Sequence, residues 1–241
     1  MTKQTNLWAV GGLLGLLAAC GSNKAAVKVD DGALAKLNEQ QMQPVDDARI
    51  EEGRARDQLA RARLAVQDAK AKVDVSKAER DVAVAQQNRA KAEHDMLTRQ
   101  KADTADIMRA QLDAQNGGER IKATDMKLDY LHRMVDITQL EEQLAAQHAE
   151  VAKAITDRAK FKALEAAKSN EVRGINPAEV DARLADAQQK EANLRKHAAD
   201  KRVELVEIYN KWQEVDARMR SVPERAITPP PAPTSPSEPQ R

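Results

Sequence analysis

Residues 177 to 222, PAEVDARLADAQQKEANLRKHAADKRVELVEIYNKWQEVDARMRSV, decide how this chain is read. Val180, Leu184, Ala187, Glu191, Leu194, Ala198, Lys201, Leu205, Ile208, Trp212, Val215, Met219 and Val222 recur at alternating steps of four and three, and only Glu191 and Lys201 among them are polar. That spacing is the period at which one helix presents a continuous seam to another. The entry is written out as well: Asn176 can cap, Pro177 suits the first helical position, where no amide donor is needed, and Glu179 can reach back to the cap. A helix that presents such a seam needs a second helix to lie against.

Upstream, Ser169-Asn170 and Gly174 mark a break, and Ile137, Leu140, Leu144, Val151, Ile155 and Leu164 place a helix over about residues 120–168. The glycine pair Gly117-Gly118 lies between two strongly helical stretches and reads as the hairpin turn. Before it, a helix over 44–116 would run roughly 110 Å at 1.5 Å per residue. Its first half carries Val45, Glu52, Leu59, Val66 and Val73 at one seam position and Ala48, Ala55, Ala62, Ala69 and Ser76 at the other. Beyond Arg80 the apolar residues shift to Val75, Val82 and Met96 with Ala78, Ala85 and Ala92, which reads as a stutter in the supercoil. Asp31 can cap a short helix over 32–42 that includes Ala33, Leu34 and Leu37, with Pro44 starting the long one.

The expected fold class is therefore all-α: an elongated antiparallel coiled-coil hairpin in which position i faces 235 minus i, with its return arm broken once at 169–176. The alternative is a three-helix bundle, with that break a second turn. Domain organisation follows as a signal segment over 1–19, a tether over 20–30, the helical domain over 31–222 and a disordered tail over 223–241. Seven of the nine prolines fall in that tail among Ser, Thr and Ala, a composition that favours extended polyproline II and no core.

Composition agrees. Alanine is roughly one residue in six, charged residues are 32% and aromatics 2%, the profile of long solvated helices. Lys plus Arg at 39 almost balance Asp plus Glu at 38, so no net basic field attracts nucleic acid. Past the signal segment the aromatics are Tyr130, Phe161, Tyr209 and Trp212. Tyr209 and Trp212 are the candidate partner-binding residues because aromatics anchor interfaces, although Trp212 lies on the seam and core packing competes for it.

The N-terminus carries Lys3, an apolar core from Leu7 to Leu17 too short to cross a bilayer, and then Leu17-Ala18-Ala19-Cys20. These residues resemble the lipobox of bacterial lipoproteins. The resemblance implies cleavage between Ala19 and Cys20, a diacylglycerol on the Cys20 thiol and an acyl chain on the new amine. Cys20 is the single cysteine of the chain, so acylation leaves no disulfide. Two or three acyl chains exceed the one-chain level at which membrane binding is marginal. Gly21-Ser22 follow the cysteine where an inner-membrane retention signal has Asp, so the resemblance implies the outer membrane, facing the periplasm.

The remaining chemistry is sparse. His94, His132, His148 and His197 are scattered with no zinc-binding or di-iron spacing, no phosphate-binding glycine loop is present, and adjacent carboxylates such as Glu141-Glu142 point about 100° apart on a helix. The expectation is a non-enzyme without cofactor or metal, save acyl groups on Cys20. Its partners are the membrane and other envelope proteins, not nucleic acid, with self-association open as a way to complete the seam. The helix-turn-helix also resembles the α-hairpin of periplasmic membrane-fusion adaptors, which meets an outer-membrane channel, but the chain has no β-rich stretch to match their lipoyl and barrel segments. The functions to weigh are thus a structural or adaptor lipoprotein, an accessory of an export complex, and a non-catalytic regulator of a cell-wall enzyme.

Overall fold

A computed structural model describes residues 31–220; the signal segment, Ala19, Cys20, the tether and the tail lie outside them. The described chain is all-α, with no strand: α1 (Asp31–Leu34), α2 (Glu39–Arg99), α3 (Thr104–Ala166) and α4 (Pro177–Arg220), with a 3-10 turn at Asn170–Val172 before α4. The 61 residues of α2 and 63 of α3 give arms about 90 Å long. α3 is central, with α2 antiparallel along one side and α4 antiparallel along the other, so α4 packs on α3 rather than on α2. The all-α antiparallel architecture is as expected, but the return arm does not continue past its break: at 167–176 the chain makes a second turn, the alternative reading, and α4 runs back along α3.

Both turns are made the same way. Helix α2 ends with Lys101 at φ 52°, its amide donating to the Thr98 carbonyl at 3.2 Å while Ala102 donates to Leu97 at 3.0 Å. Helix α3 ends with Lys168 at φ 56°, its amide donating to Glu165 at 2.9 Å and Ser169 to Leu164 at 3.0 Å. These are Schellman closures, which satisfy the last carbonyls of a helix by turning one residue into the left-handed region. Asp103 then caps α3 by accepting from the Ala105 amide at 3.0 Å. Asn176 caps α4 by accepting from Ala178 at 3.0 Å, as expected.

The hairpin turn is therefore at 100–103 and not at Gly117-Gly118, which continue α3 as ordinary helical residues. A Cβ built on Gly117 would stand 3.0 Å from Cβ and Cγ of Gln87 and 3.1 Å from its Cα, so the missing side chain lets α2 and α3 approach closely. The register moves with the turn. Facing residues of α2 and α3, such as Ala48 with Thr156, Arg63 with Glu142 and Arg80 with Asp125, have numbers adding to about 205 rather than 235. That places the second turn at the base of the rod, beside α1, from which α4 runs back toward the tip.

Two further expectations are corrected. α1 is one turn long, and α2 begins at Glu39 behind a capping box, with Asn38 and Gln41 exchanging side-chain bonds at 3.0 and 3.1 Å. Pro44 sits inside α2; the hydrogen bond it removes falls on the carbonyl of Gln40, an exposed residue that water can reach. The seam of α2 has no stutter either. It continues in one register through Arg80, Ala83, Gln87, Ala90, His94 and Leu97, every one buried or half-buried, whereas Val75, Val82 and Met96 face outward.

The apolar core is at the base, where Ala33 and Leu34 of α1 meet Val45 of α2 and Ala163 and Leu164 of α3. Leu164 and Val45 are fully buried, each contributing about 1.5–3 kcal/mol. Asp31 adds ion pairs to Lys160 at 2.8 Å and Arg49 at 3.2 Å, and the Lys160 ammonium holds its carboxyl below the usual range. Higher up, Ala48, Ala55, Ala69 and Ala83 of α2 are buried against α3, where a close helix approach replaces bulk. The Thr156 hydroxyl is 3.2 Å from the Ala48 carbonyl and 3.1 Å from that of Ala152, so this buried donor is satisfied across the interface or within α3.

Candidate interaction site

The α4 seam read from the sequence is the packed face throughout. Every seam residue from Val180 to Met219 is buried or half-buried. Where large side chains occur, α3 answers them: Tyr130 stacks on Trp212 at 14° with ring centroids 5.4 Å apart, Tyr209 meets Trp212 edge-on at 5.6 Å, and Tyr130 tilts against Tyr209 at 5.3 Å. Such pairs contribute about 0.5–1.5 kcal/mol each beyond the area they cover. Tyr209 and Trp212 are thus brought together, but with Tyr130 as an internal partner that sequence reading did not connect. One face of Trp212 is used inside the molecule, and Tyr209 remains 39% exposed at the rim.

Polar groups line the rest of the α3–α4 contact. Gln147 donates to the Ala187 carbonyl at 3.1 Å, His148 and Arg195 converge on Glu191 at 3.3 and 2.9 Å, Arg158 pairs with Asp181 at 2.6 Å, and Arg202 reaches Glu141 at 2.6 Å. Glu142 turns the other way, to Arg63 of α2 at 3.5 Å. The adjacent carboxylates therefore serve two different interfaces. On α3, burial pushes the Asp157 carboxyl up, against the opposing pull of Lys160 and Lys153.

Among the described residues no cluster of three or more His, Cys, Asp or Glu side chains is placed to hold a metal ion, and no helix is long and apolar enough to cross a membrane. A hollow of 590 Å³ along Pro44, Ala48, Ile50, Val151, Ala152 and Ile155 is an open trough between α2 and α3. At the tip, Met108 and Leu112 of α3 are 65% and 54% exposed, beyond the level at which the described part of α4 ends. No protein-family model, curated protein or solved structure matches this chain.

Proposed function

We propose that this chain is a lipid-anchored rod of the bacterial envelope, fixed to the outer membrane at Cys20 and working in the periplasm by presenting helical faces to other envelope proteins. The observation that carries the reading is Leu17-Ala18-Ala19-Cys20 placed before a body of helices about 90 Å long. An anchor at one end and length at the other give reach and tethering, and the reading assigns no catalysis. Packing of α2 and α4 along α3 supports a rod that holds its shape without a globular core.

The test is Cys20→Ala. The variant is expected to keep the precursor mass and to leave the membrane fraction, whereas an unchanged mass and membrane fraction would refute the anchor.

A second reading, an accessory of an export or efflux complex that docks by its hairpin tip, is favoured by the exposed Met108 and Leu112 beside the 100–103 turn. It moves the docking residues from the glycine pair to this true tip. Crosslinking and pull-down of the intact lipoprotein separates the readings: charged substitutions at Met108 and Leu112 abolish capture of a tip partner and spare partners held along the shaft.

A further inference from the structure

Helix α2 carries a second seam that nothing in the described chain covers. Leu64, Asp68, Ala71, Val75, Ala78, Val82, Ala85, Arg89, Ala92 and Met96 follow the same alternating four- and three-residue steps as the buried seam, and all ten are exposed. The large members are 64%, 60%, 57% and 50% exposed at Leu64, Val75, Val82 and Met96. With about 100° between successive residues, this stripe lies roughly 160° from the seam that faces α3. The preceding positions of the same stripe are Asp47, Ile50, Arg54, Asp57 and Arg61, four of them charged, as an outward face should be. At Leu64 the stripe changes character, with two charges in ten positions. From Leu64 on, the outward face is a mostly apolar stripe at the spacing by which one helix covers another.

We propose that the occupant is α2 of a second copy, lying antiparallel across this stripe. In an antiparallel pair whose facing residues add to 160, every stripe position meets a stripe position: Leu64 faces Met96 of the second copy, Val75 faces Ala85, Val82 faces Ala78, and Asp68 and Arg89 face Ala92 and Ala71. Each valine fills the space over an alanine, as interdigitating seams require. Arg89 of one copy then lies one helical turn from the residue opposite Asp68 of the other, within reach of its carboxylate. A parallel pair would instead set Asp68 on Asp68 and Arg89 on Arg89, two like-charge layers that disfavour it.

The 33-residue stripe is about 50 Å long and, at an interhelical spacing of about 10 Å, covers roughly 1,000 Å² over both copies, the floor for a specific interface and the size of a reversible one that forms at high concentration. The pair forms a single row of six long helices, and because α2 extends about 60 Å from the crossing point to Glu39, its two N-terminal ends stand about 120 Å apart. The paired form therefore carries its anchors at opposite ends and lies along a membrane or reaches between two, unlike the single upright rod.

The pairing depends on α2 alone and not on the lipid anchor, so it is tested on the full-length chain carrying Cys20→Ser, which also removes the only native thiol. In a non-ionic detergent at about 100 µM, sedimentation is expected to give twice the protein mass of the Val75→Glu/Val82→Glu variant, with equal helicity in both because those side chains are exposed in the single chain. Val203→Glu, on the back of α4, should leave the double mass unchanged. On mild oxidation a Val75→Cys chain mixed with an Ala85→Cys chain should form a crosslinked dimer, and neither alone should. A single-chain mass for the parent, loss of the dimer in Val203→Glu but not in the α2 variant, or self-crosslinking of Val75→Cys alone would each overturn the proposal.

Discussion

Gly117-Gly118 and the turn at Gln100–Asp103 lie about 20 Å apart on the same hairpin and exchange the roles their residues suggest. The glycines sit inside α3, about four turns from its start, and a lysine turns the chain. Glycine lacks a Cβ, and that absence has two uses: it frees the backbone to enter left-handed conformations, and it removes bulk between packed helices. Only the second operates at Gly117, where Gln87 occupies the space a methyl would fill. What stops α2 is a coincidence of end signals around Lys101, with Asp103 ready to cap the next helix three residues after Gln100.

Proline gives the strongest way to break this contrast. Gly118→Pro, inside α3, is expected to lower stability by about 3 kcal/mol or more, since it removes a helical hydrogen bond and clashes with the preceding turn. Thr104→Pro should change stability by less than about 0.5 kcal/mol, because the first helical position needs no amide donor and Asp103 before it, at φ −57° and ψ 137°, already has the extended backbone a following proline requires. Chemical denaturation followed by circular dichroism reads both, and the opposite order would return the hairpin turn to the glycine pair.

The same contrast explains how much of the fold was legible. Seam residues of α4 and the Asn176-Pro177 start were readable because periodicity and capping are local, and Val180 to Met219 form the packed face as the spacing implied. The turns were not, because lysine at a left-handed position carries no sequence mark and the glycine pair imitates one. The usable signal was Asp103 followed three residues later by Asp106, an acidic helix start without a glycine beside it. Tyr130 went unconnected for another reason: it meets Trp212 only because the break at 167–176 is a second turn that folds α4 back along α3, whereas a continuous return arm would set α4 against α2. In α2, two seams on opposite faces looked like one seam with a stutter, since a sequence displays period and not which face a neighbour occupies. The lipidation signal is of a different kind, a recognition motif that no packing argument touches.

Alanine substitution sharpens the comparison among the glycines themselves. Gly117→Ala gains about 1 kcal/mol of helix propensity but must push α3 away from Gln87 of α2, an overpacking cost of about 1–3 kcal/mol, so a net loss of roughly 1 kcal/mol is expected. Gly53→Ala, where a Cβ meets nothing within 4 Å, should instead raise stability by about 1 kcal/mol. Equal gains at both positions, measured by the same denaturation, would mean that close approach of the helices is not what the glycine provides.

The smallest effect lies at the lysines. A residue with a Cβ at φ near 55° carries a steric cost of about 1–2 kcal/mol that glycine does not, although glycine also loses more backbone freedom on folding. Lys101→Gly and Lys168→Gly should therefore each stabilise the chain by about 0.5–1 kcal/mol, provided the Schellman bonds from Ala102 and Ser169 are kept. The two sites test different surroundings. Lys101 closes a bare two-helix tip, whereas Lys168 stands beside Leu164, at the base core where α1 also docks. If backbone conformation alone sets the gain, the two midpoints shift together. A gain at the tip without one at the base would show that packing around Leu164, rather than the turn, holds α3 to its second reversal.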